Sequence, residues 1–189
     1  MNNLHQLRKF YELKNVERTA RVGSRRESPA EHTWSALILA DYFLSTMERE
    51  RENKLNRLKV YELLMYHDVV EIEAGDINLL HEHKRKDKKE KEMKTAHVLQ
   101  KHLPLQLGEK FLAVFKEYED GKTKEARFAK AIDALDAEIH ELDYKENWKG
   151  WTEEFLRKKK GPLMEEFPVL KKAFEEIMEF TKKEGYFDR

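Results

Sequence analysis

Apolar residues recur along this chain at the three- and four-residue spacing of amphipathic helices, and the alternation typical of half-buried strands is absent. Glycine and proline are scarce, at 7 and 4 residues, so few positions interrupt a helix. The pattern predicts an all-α fold. The predicted helices run from about Leu4 to Lys14 (Leu4, Leu7 and Tyr11 on one face), Ser28 to Met47, Arg57 to Ile72, Met93 to Leu103, Phe111 to Tyr118, Lys124 to Asn147 and Val169 to Lys183.

Two local signals define helix ends. Ser28 and Glu31 have the spacing of a capping box, and Pro29 suits the first helical position between them. Gly75 is expected to close the helix that begins at Arg57. Neither an internal repeat nor a Ser/Gly/Pro-rich linker occurs, so residues 1–189 are predicted to form a single domain.

The composition narrows the classes of partner. The 37 basic and 37 acidic residues leave a formal net charge of zero, which argues against a nucleic-acid polymer or an anionic membrane as partner. The absence of cysteine excludes disulfides, thiolate metal sites and a cysteine nucleophile. No apolar run is long enough to span a membrane, and the first residues lack the apolar core of a signal peptide. We therefore expect a cytoplasmic protein.

Four residues of metal-ligand type lie within apolar helical stretches: His32, His67, Asp68 and Asp133. A buried carboxylate without a partner is costly, so Asp133 needs a cation, a hydrogen-bonding network or an exposed position. Two imidazoles and two carboxylates suit one divalent ion such as Co²⁺, Mn²⁺, Ni²⁺, Zn²⁺ or Mg²⁺. Adjacent residues point about 100° apart on an ideal helix, so His67 and Asp68 can share an ion only near a helix end.

Each of these residues also has a purely structural interpretation. A histidine on a helix is commonly hydrogen-bonded or exposed, and Asp133 could face solvent. Asp136 and His140 are four residues apart on one predicted helix, where an ordinary salt linkage between them is the default. Glu71 follows His67 by one helical turn and is a candidate general acid or base. Its alternative is an ordinary helix carboxylate.

Three segments carry these residues in a recognisable order: ESPAEHTW (27–34), YHDVVEIEAGDI (66–77) and KAIDAL (130–135). They resemble the signatures of the HD-domain metal-dependent phosphohydrolases, in particular the 5′-deoxynucleotidase branch. The resemblance covers about residues 4–148. It implies a single HD-domain helical bundle whose metal site lies between core helices, with a C-terminal helix over about residues 169–183 packed on it. Relatives commonly form homodimers, so a homodimer is expected.

The resemblance also implies a role for individual residues. The implied metal ligands are His32, His67, Asp68 and Asp133, the implied catalytic residues are Glu71 and Asp76, and the implied substrate-binding residues are Arg18, Asp76 and Arg21. Arg18 would grip the phosphate and Asp76 would contact the sugar 3′-hydroxyl. A turn aspartate is the structural alternative for Asp76.

The segment after Arg18 departs from the family. Relatives usually carry an aromatic residue one or two positions further on, where this chain has Ala20 and Arg21, and the connection to His32 is shorter. The resemblance therefore does not specify which residues line the pocket for the nucleobase. Arg21, Arg25 or Arg26 could share the phosphate role, or these arginines could be structural.

The expected activity is metal-dependent hydrolysis of (deoxy)nucleoside 5′-monophosphates, small nucleotide substrates, to nucleoside and phosphate. Two alternatives stay open: an HD phosphohydrolase acting on cyclic nucleotides or guanosine tetraphosphate, and a non-catalytic helical metal-binding module. A ferritin-like di-iron bundle lacks its Glu-x-x-His pairs here. The charged runs at residues 84–94 and 158–160 are interpreted as solvated helix faces.

Overall fold

The computed structural model describes residues 2–50, 54–75 and 88–187, and this part of the chain is almost entirely helical. The elements are α1 (Asn2–Tyr11), β1 (Arg21–Val22), β2 (Arg25–Arg26), α2 (Pro29–Arg49), α3 (Arg57–Tyr66), α4 (Glu71–Ala74), α5 (Lys88–Gln100), α6 (Leu105–Asp120), α7 (Lys124–Glu141), α8 (Glu153–Met164) and α9 (Pro168–Lys183), with single 3₁₀ turns at Glu12–Asn15 and Lys145–Trp148. The all-α prediction is confirmed. Within the described residues, no helix is both long and apolar enough to cross a membrane.

Helix α7 lies at the centre of the packing, in contact with α2, α3, α6, α8 and α9. Its buried face includes Ala126, Ala129 and Ala131, whose small side chains let neighbouring helices approach closely, and the fully buried Ile132 and Leu135. Because so many helices meet α7, a residue on this face can contact groups that lie far away in the sequence.

The start of α2 follows the predicted capping box. Ser28 Oγ accepts a hydrogen bond from the Glu31 amide at 3.3 Å, and the Glu31 carboxylate accepts one from the Ser28 amide at 2.9 Å. Pro29 occupies the first turn. The cap fixes where α2 begins, and His32 therefore faces the interior one turn later.

Two predicted helices are shorter than their apolar patterns suggested. The one beginning at Arg57 ends at Tyr66, and a turn over residues 67–70 separates it from α4, which Gly75 closes with a φ of 69°. The other ends at Glu141 rather than near Asn147. Hydrophobic spacing continues through both breaks because the turns also bury their apolar residues, including Val69 and Val70.

Three sequence interpretations were wrong or incomplete. The face of α1 that carries Leu4 and Tyr11 is mostly exposed. Helix α8 was not predicted, although Thr152 caps it by accepting from the Phe155 amide at 3.1 Å. A two-residue hairpin pairs Arg21 with Arg26 where no strand was expected. Short pairings of this kind leave no alternating pattern for sequence analysis to detect.

Candidate metal centre and adjoining cavity

His32 is completely buried between two carboxylates of α7. Its Nδ1 donates to Asp136 Oδ2 at 2.8 Å, and its Nε2 contacts Asp133 Oδ1 at 2.9 Å. Ser35 Oγ donates to the same Asp136 oxygen at 2.9 Å. The expected link between Asp136 and His140 was therefore wrong: Asp136 turns toward α2, because α2 packs directly on this face of α7.

His67 stands at the end of α3, where the helix gives way to the turn. Its Nδ1 donates to the Leu64 carbonyl oxygen at 2.7 Å, which places a proton on Nδ1. Its Nε2 is buried, makes no hydrogen bond among the described residues, and lies 3.2 Å from Asp68 Oδ1 and 3.8 Å from Asp133 Oδ1. The helix end lets the neighbouring His67 and Asp68 side chains meet.

These side chains converge on one point between α2, the end of α3 and α7. One ligand atom from each of His32, His67 and Asp68 lies within 4.8 Å of the others, so the three could hold a metal ion. Asp133 Oδ1 borders both imidazoles from α7. The buried His67 Nε2, with its proton held on the opposite ring nitrogen, fits a metal ligand because neutral imidazole binds through its free nitrogen.

The pKa values of the cluster follow from close packing of opposite charges. Burial alone would lower the pKa of His67, but the nearby charges of Asp68 and Asp133 raise it well above its usual value. Burial would raise the pKa of Asp133, yet its hydrogen bond with His32 and the neighbouring His67 hold it well below the normal range. The pKa of Asp68 falls to about 2, against the effect of burial, chiefly through His67. The ionised carboxylates of Asp68 and Asp133 are thus stabilised by nearby positive charge, which either protons on the histidines or a bound cation can supply.

Tyr118 of α6 also belongs to this cluster, although sequence reasoning missed it. Its hydroxyl donates to Asp133 Oδ2 at 2.8 Å, and its ring centroid lies 5.3 Å from that of His67. Burial raises its pKa well above the ordinary value, so the hydroxyl remains a donor. Asp133 Oδ1 is thereby left to face the imidazoles. An aromatic residue on an apolar helix face gives no signal of such a role.

Arg18 joins the cluster from the segment before β1. Its Nη1 donates to Asp68 Oδ2 at 3.0 Å, and its Nε lies 3.2 Å from Glu27 Oε2. Glu27 is buried, which raises its pKa, and it also lies 3.6 Å from His140 Nδ1. Sequence reasoning gave Glu27 no role of its own. Arg18 is therefore held by two carboxylates, those of Glu27 and Asp68.

The other arginines of the hairpin differ in where they point. Arg25 is bound to the Glu31 carboxylate through two nitrogens. Arg26 bonds the Thr19 carbonyl and lines the cavity beside the cluster. Arg21 accepts a hydrogen bond from His140 Nε2 through its carbonyl oxygen at 2.7 Å, and its side chain is not among the described residues that line the cavity.

Glu71 begins α4, is 4% exposed and borders the cavity next to Asp68 and Val70. It therefore lies on the same side as His67, as its one-turn spacing predicted. Asp76 lies outside the described residues.

The cluster opens into a cavity of about 680 Å³, within the usual range for small-molecule sites. The cavity runs between α7 and α8 and contains charged groups from both helices. Lys160 corrects the interpretation of the basic run as a solvated face: it is 8% exposed, pairs with Glu138 and donates to the Ala134 carbonyl at 3.1 Å. The basic run at residues 158–160 resembled a solvated helix face because two of its three lysines, Lys158 and Lys159, are exposed.

Comparisons with known proteins agree with this geometry. A model of the HD domain family matches residues 10–171. The chain is 30% identical to a 5′-deoxynucleotidase HDDC2 of Xenopus laevis over 71% of this chain and 65% of that protein, just under two thirds of its length, and 28% identical to its Bos taurus counterpart over 82% and 74%.

Among solved structures, a predicted metal-dependent phosphohydrolase from Magnetospirillum magnetotacticum aligns with a TM-score of 0.81 and 28% identity over all of both chains. An HD-domain phosphohydrolase from Listeria innocua aligns with a TM-score of 0.66 and 20% identity, covering 96% of this chain and 86% of that one. The latter likeness concerns the fold alone.

Proposed function

Because the chain belongs to the HD domain family, we propose that it is a metal-dependent phosphohydrolase that converts (deoxy)nucleoside 5′-monophosphates to nucleoside and phosphate. The 5′-deoxynucleotidase relatives support this substrate class. The observation that carries the proposal is the convergence of His32, His67 and Asp68, with the bare Nε2 of His67, at one end of a nucleotide-sized cavity.

In this proposal His32, His67, Asp68 and Asp133 hold one divalent ion, with Co²⁺, Mn²⁺, Ni²⁺, Zn²⁺ and Mg²⁺ as candidates. When bound, such an ion lowers the pKa of water and polarises a phosphoryl group. The protein's own task is to pre-organise the donors. Asp136 accepts a hydrogen bond from Nδ1 of His32, and the Leu64 carbonyl oxygen accepts one from Nδ1 of His67. Both contacts orient the imidazole rings with Nε2 toward the cluster.

Arg18 is the proposed phosphate ligand. Its guanidinium is already fixed by Asp68 and Glu27, so binding a phosphate costs little additional side-chain entropy. Arg26 borders the same cavity and is a better placed second cation than Arg21. The proposed role of Arg21 is limited to its backbone carbonyl, which positions His140.

Glu71 is the proposed general acid or base, since it is buried at the cavity wall beside the cluster and can exchange a proton with the reacting oxygens. Asp76, placed one residue after Gly75, remains the proposed contact of the sugar 3′-hydroxyl.

We further propose that residues 1–189 act as one domain, in the cytoplasm, and as a homodimer. An exposed apolar stripe on α2 supports the dimer: Trp34, Ile38 and Tyr42 follow at four-residue spacing and are 67%, 57% and 60% exposed. Light scattering of the Ile38→Glu variant, which leaves the candidate metal site unchanged, tests the dimer. A carboxylate in the middle of the apolar stripe should prevent association, so the variant is expected to be a monomer.

The enzymatic proposal is tested with chelator-stripped protein reloaded with single metals. Phosphate release is expected from nucleoside 5′-monophosphates. Turnover confined to cyclic nucleotides or guanosine tetraphosphate would contradict the substrate class. Glu71→Gln should retain metal and lose turnover, whereas Glu73→Gln, on the exposed side of the same helix, should leave turnover unchanged. Full activity of Glu71→Gln would refute the role of Glu71.

A further inference from the structure

The cavity extends from the metal cluster along one face of α7. Asp133, Ala137 and Glu141 follow at four-residue spacing and all line it. Eight residues separate Asp133 from Glu141, which corresponds to about 12 Å along the helix axis. A nucleotide whose phosphate lies at the cluster would therefore extend its base toward the end of α7.

Different groups line that far end of the cavity. After α7, the chain turns through Lys145–Trp148 and places Asn147 and Trp148 in contact with Glu141, while Trp151, three residues further on, also lines the cavity. Trp148 is buried, and its Nε1 donates to the Glu141 carbonyl oxygen at 2.8 Å. The turn is thus fixed to the end of α7, and the residues it carries have a defined position.

Trp151 presents a half-buried aromatic ring to the cavity. Its amide donates to the Trp148 carbonyl at 3.0 Å, and its ring packs edge-on against Phe155, with centroids 5.6 Å apart. An edge-on contact supports the indole and leaves a face for another flat group. Ala20 also lines the cavity, and its small side chain takes up little of that space.

Glu141 supplies a carboxylate at the same end. Its Oε2 accepts from Asn147 Nδ2 at 2.7 Å, which orients the group. Two other carboxylates along the cavity have cationic partners: Glu138 pairs with Lys160 and Glu27 with Arg18. Glu141 forms no ion pair among the described residues and lines the cavity, so its carboxylate is available to accept a hydrogen bond from a bound group.

We propose that Trp151 and Glu141 form a nucleobase subsite, in which the base stacks on the indole and donates an exocyclic amino group to the carboxylate. This inference rests on the proposed function. Base stacking on an aromatic side chain tolerates any base, whereas a carboxylate accepts from an amino group such as that of cytosine. Thymine and uracil instead flank their N3–H with two carbonyl oxygens, which the carboxylate repels. The subsite therefore favours amino-bearing bases.

Binding of deoxycytidine 5′-monophosphate to the full-length protein, measured by calorimetry, tests the stacking partner without requiring turnover. Trp151→Ala is expected to weaken binding about tenfold or more, and Trp151→Phe should restore most of it. Phe180→Ala removes an exposed aromatic side chain from α9, outside the cavity lining, and should have no effect. Unfolding temperatures of all variants verify that each one is folded.

Glu141→Gln tests the polar contact. The wild type should bind deoxycytidine 5′-monophosphate more tightly than deoxythymidine 5′-monophosphate, and the substitution should reduce that ratio about fivefold or more. Affinity for 2-deoxyribose 5-phosphate, which lacks a base, should not change in either variant.

Two results would overturn the subsite: unchanged nucleotide affinity in Trp151→Ala, or an equal loss for 2-deoxyribose 5-phosphate. Failure of the proposed function has a different signature. In that case the wild type binds nucleotide with the expected dependence on Trp151, yet releases no phosphate with any metal.

Discussion

Replacing Asp136 with asparagine tests whether the carboxylate behind His32 prepares the metal site. The Asp136 side chain is 6% exposed and receives hydrogen bonds from His32 Nδ1 and Ser35 Oγ. An aspartate can only accept, so it holds the proton on Nδ1 and leaves Nε2 toward the cluster. An asparagine can also donate, which permits the opposite tautomer with its proton on Nε2.

The magnitude follows from the contact. A hydrogen bond to a charged group contributes about 1.5–3 kcal/mol, and losing the partner behind a metal-bound histidine reduces metal affinity about 10- to 100-fold. The two figures agree, because each factor of ten corresponds to about 1.4 kcal/mol. Asp136→Asn should therefore weaken binding by one to two orders of magnitude while leaving the fold intact.

Competition between the protein and a chelator for Co²⁺ measures this affinity, and the visible absorption of Co²⁺ reports its coordination. Asp143→Asn, an exposed aspartate just beyond α7, is the matched control and should bind as the wild type does. Ser35→Ala removes one donor but keeps the carboxylate, so its loss should be smaller. Wild-type Co²⁺ affinity in Asp136→Asn would refute the assignment of Asp136 as the group that orients His32.

The remaining predictions concern the surroundings of the site. Tyr118→Phe deletes the donor to Asp133 Oδ2 and should lower the free energy of unfolding by about 1 kcal/mol in urea titrations, with weaker metal binding; unchanged values in both would show that the hydroxyl is dispensable. Lys160→Met leaves Glu138 buried without a counter-charge, which should lower the free energy of unfolding by about 3–5 kcal/mol. Calorimetry should then show a fall in Tm of about 10 °C. Adding Glu138→Leu should recover most of the lost stability, and no recovery would contradict the pairing. Hydrogen bonds from the Arg25 guanidinium lower the pKa of Glu31 to about 2. The ionised Glu31 carboxylate therefore stabilises the fold fully above its ordinary pKa of about 4.5, and this contribution disappears as the pH falls toward 2. Because Glu31 is 40% exposed and solvent screens its ion pair, Glu31→Gln should cost no more than about 1 kcal/mol at pH 7 and progressively less in acid; a cost independent of pH would disagree.

Local information in the sequence was sufficient for most elements. The capping box at Ser28 and Glu31, the closing Gly75 and the apolar face of α7 each depend on residues within a few positions of one another, so their spacing is visible in the chain itself. The helix break after Tyr66 was not visible, because the turn that follows buries its apolar residues as a helix would.

The sequence by itself determined which residue types were available for the candidate site. Without cysteine, a metal site must use histidine and carboxylate, and the resemblance to the HD-domain phosphohydrolases implied which four residues would form it. Only the tertiary structure decided how they are held. His32 meets Asp136 across 104 positions, and Tyr118 reaches Asp133 from another helix. Partners so distant leave no periodic trace in a sequence, since the packing of α2, α3 and α6 on α7 alone brings them together.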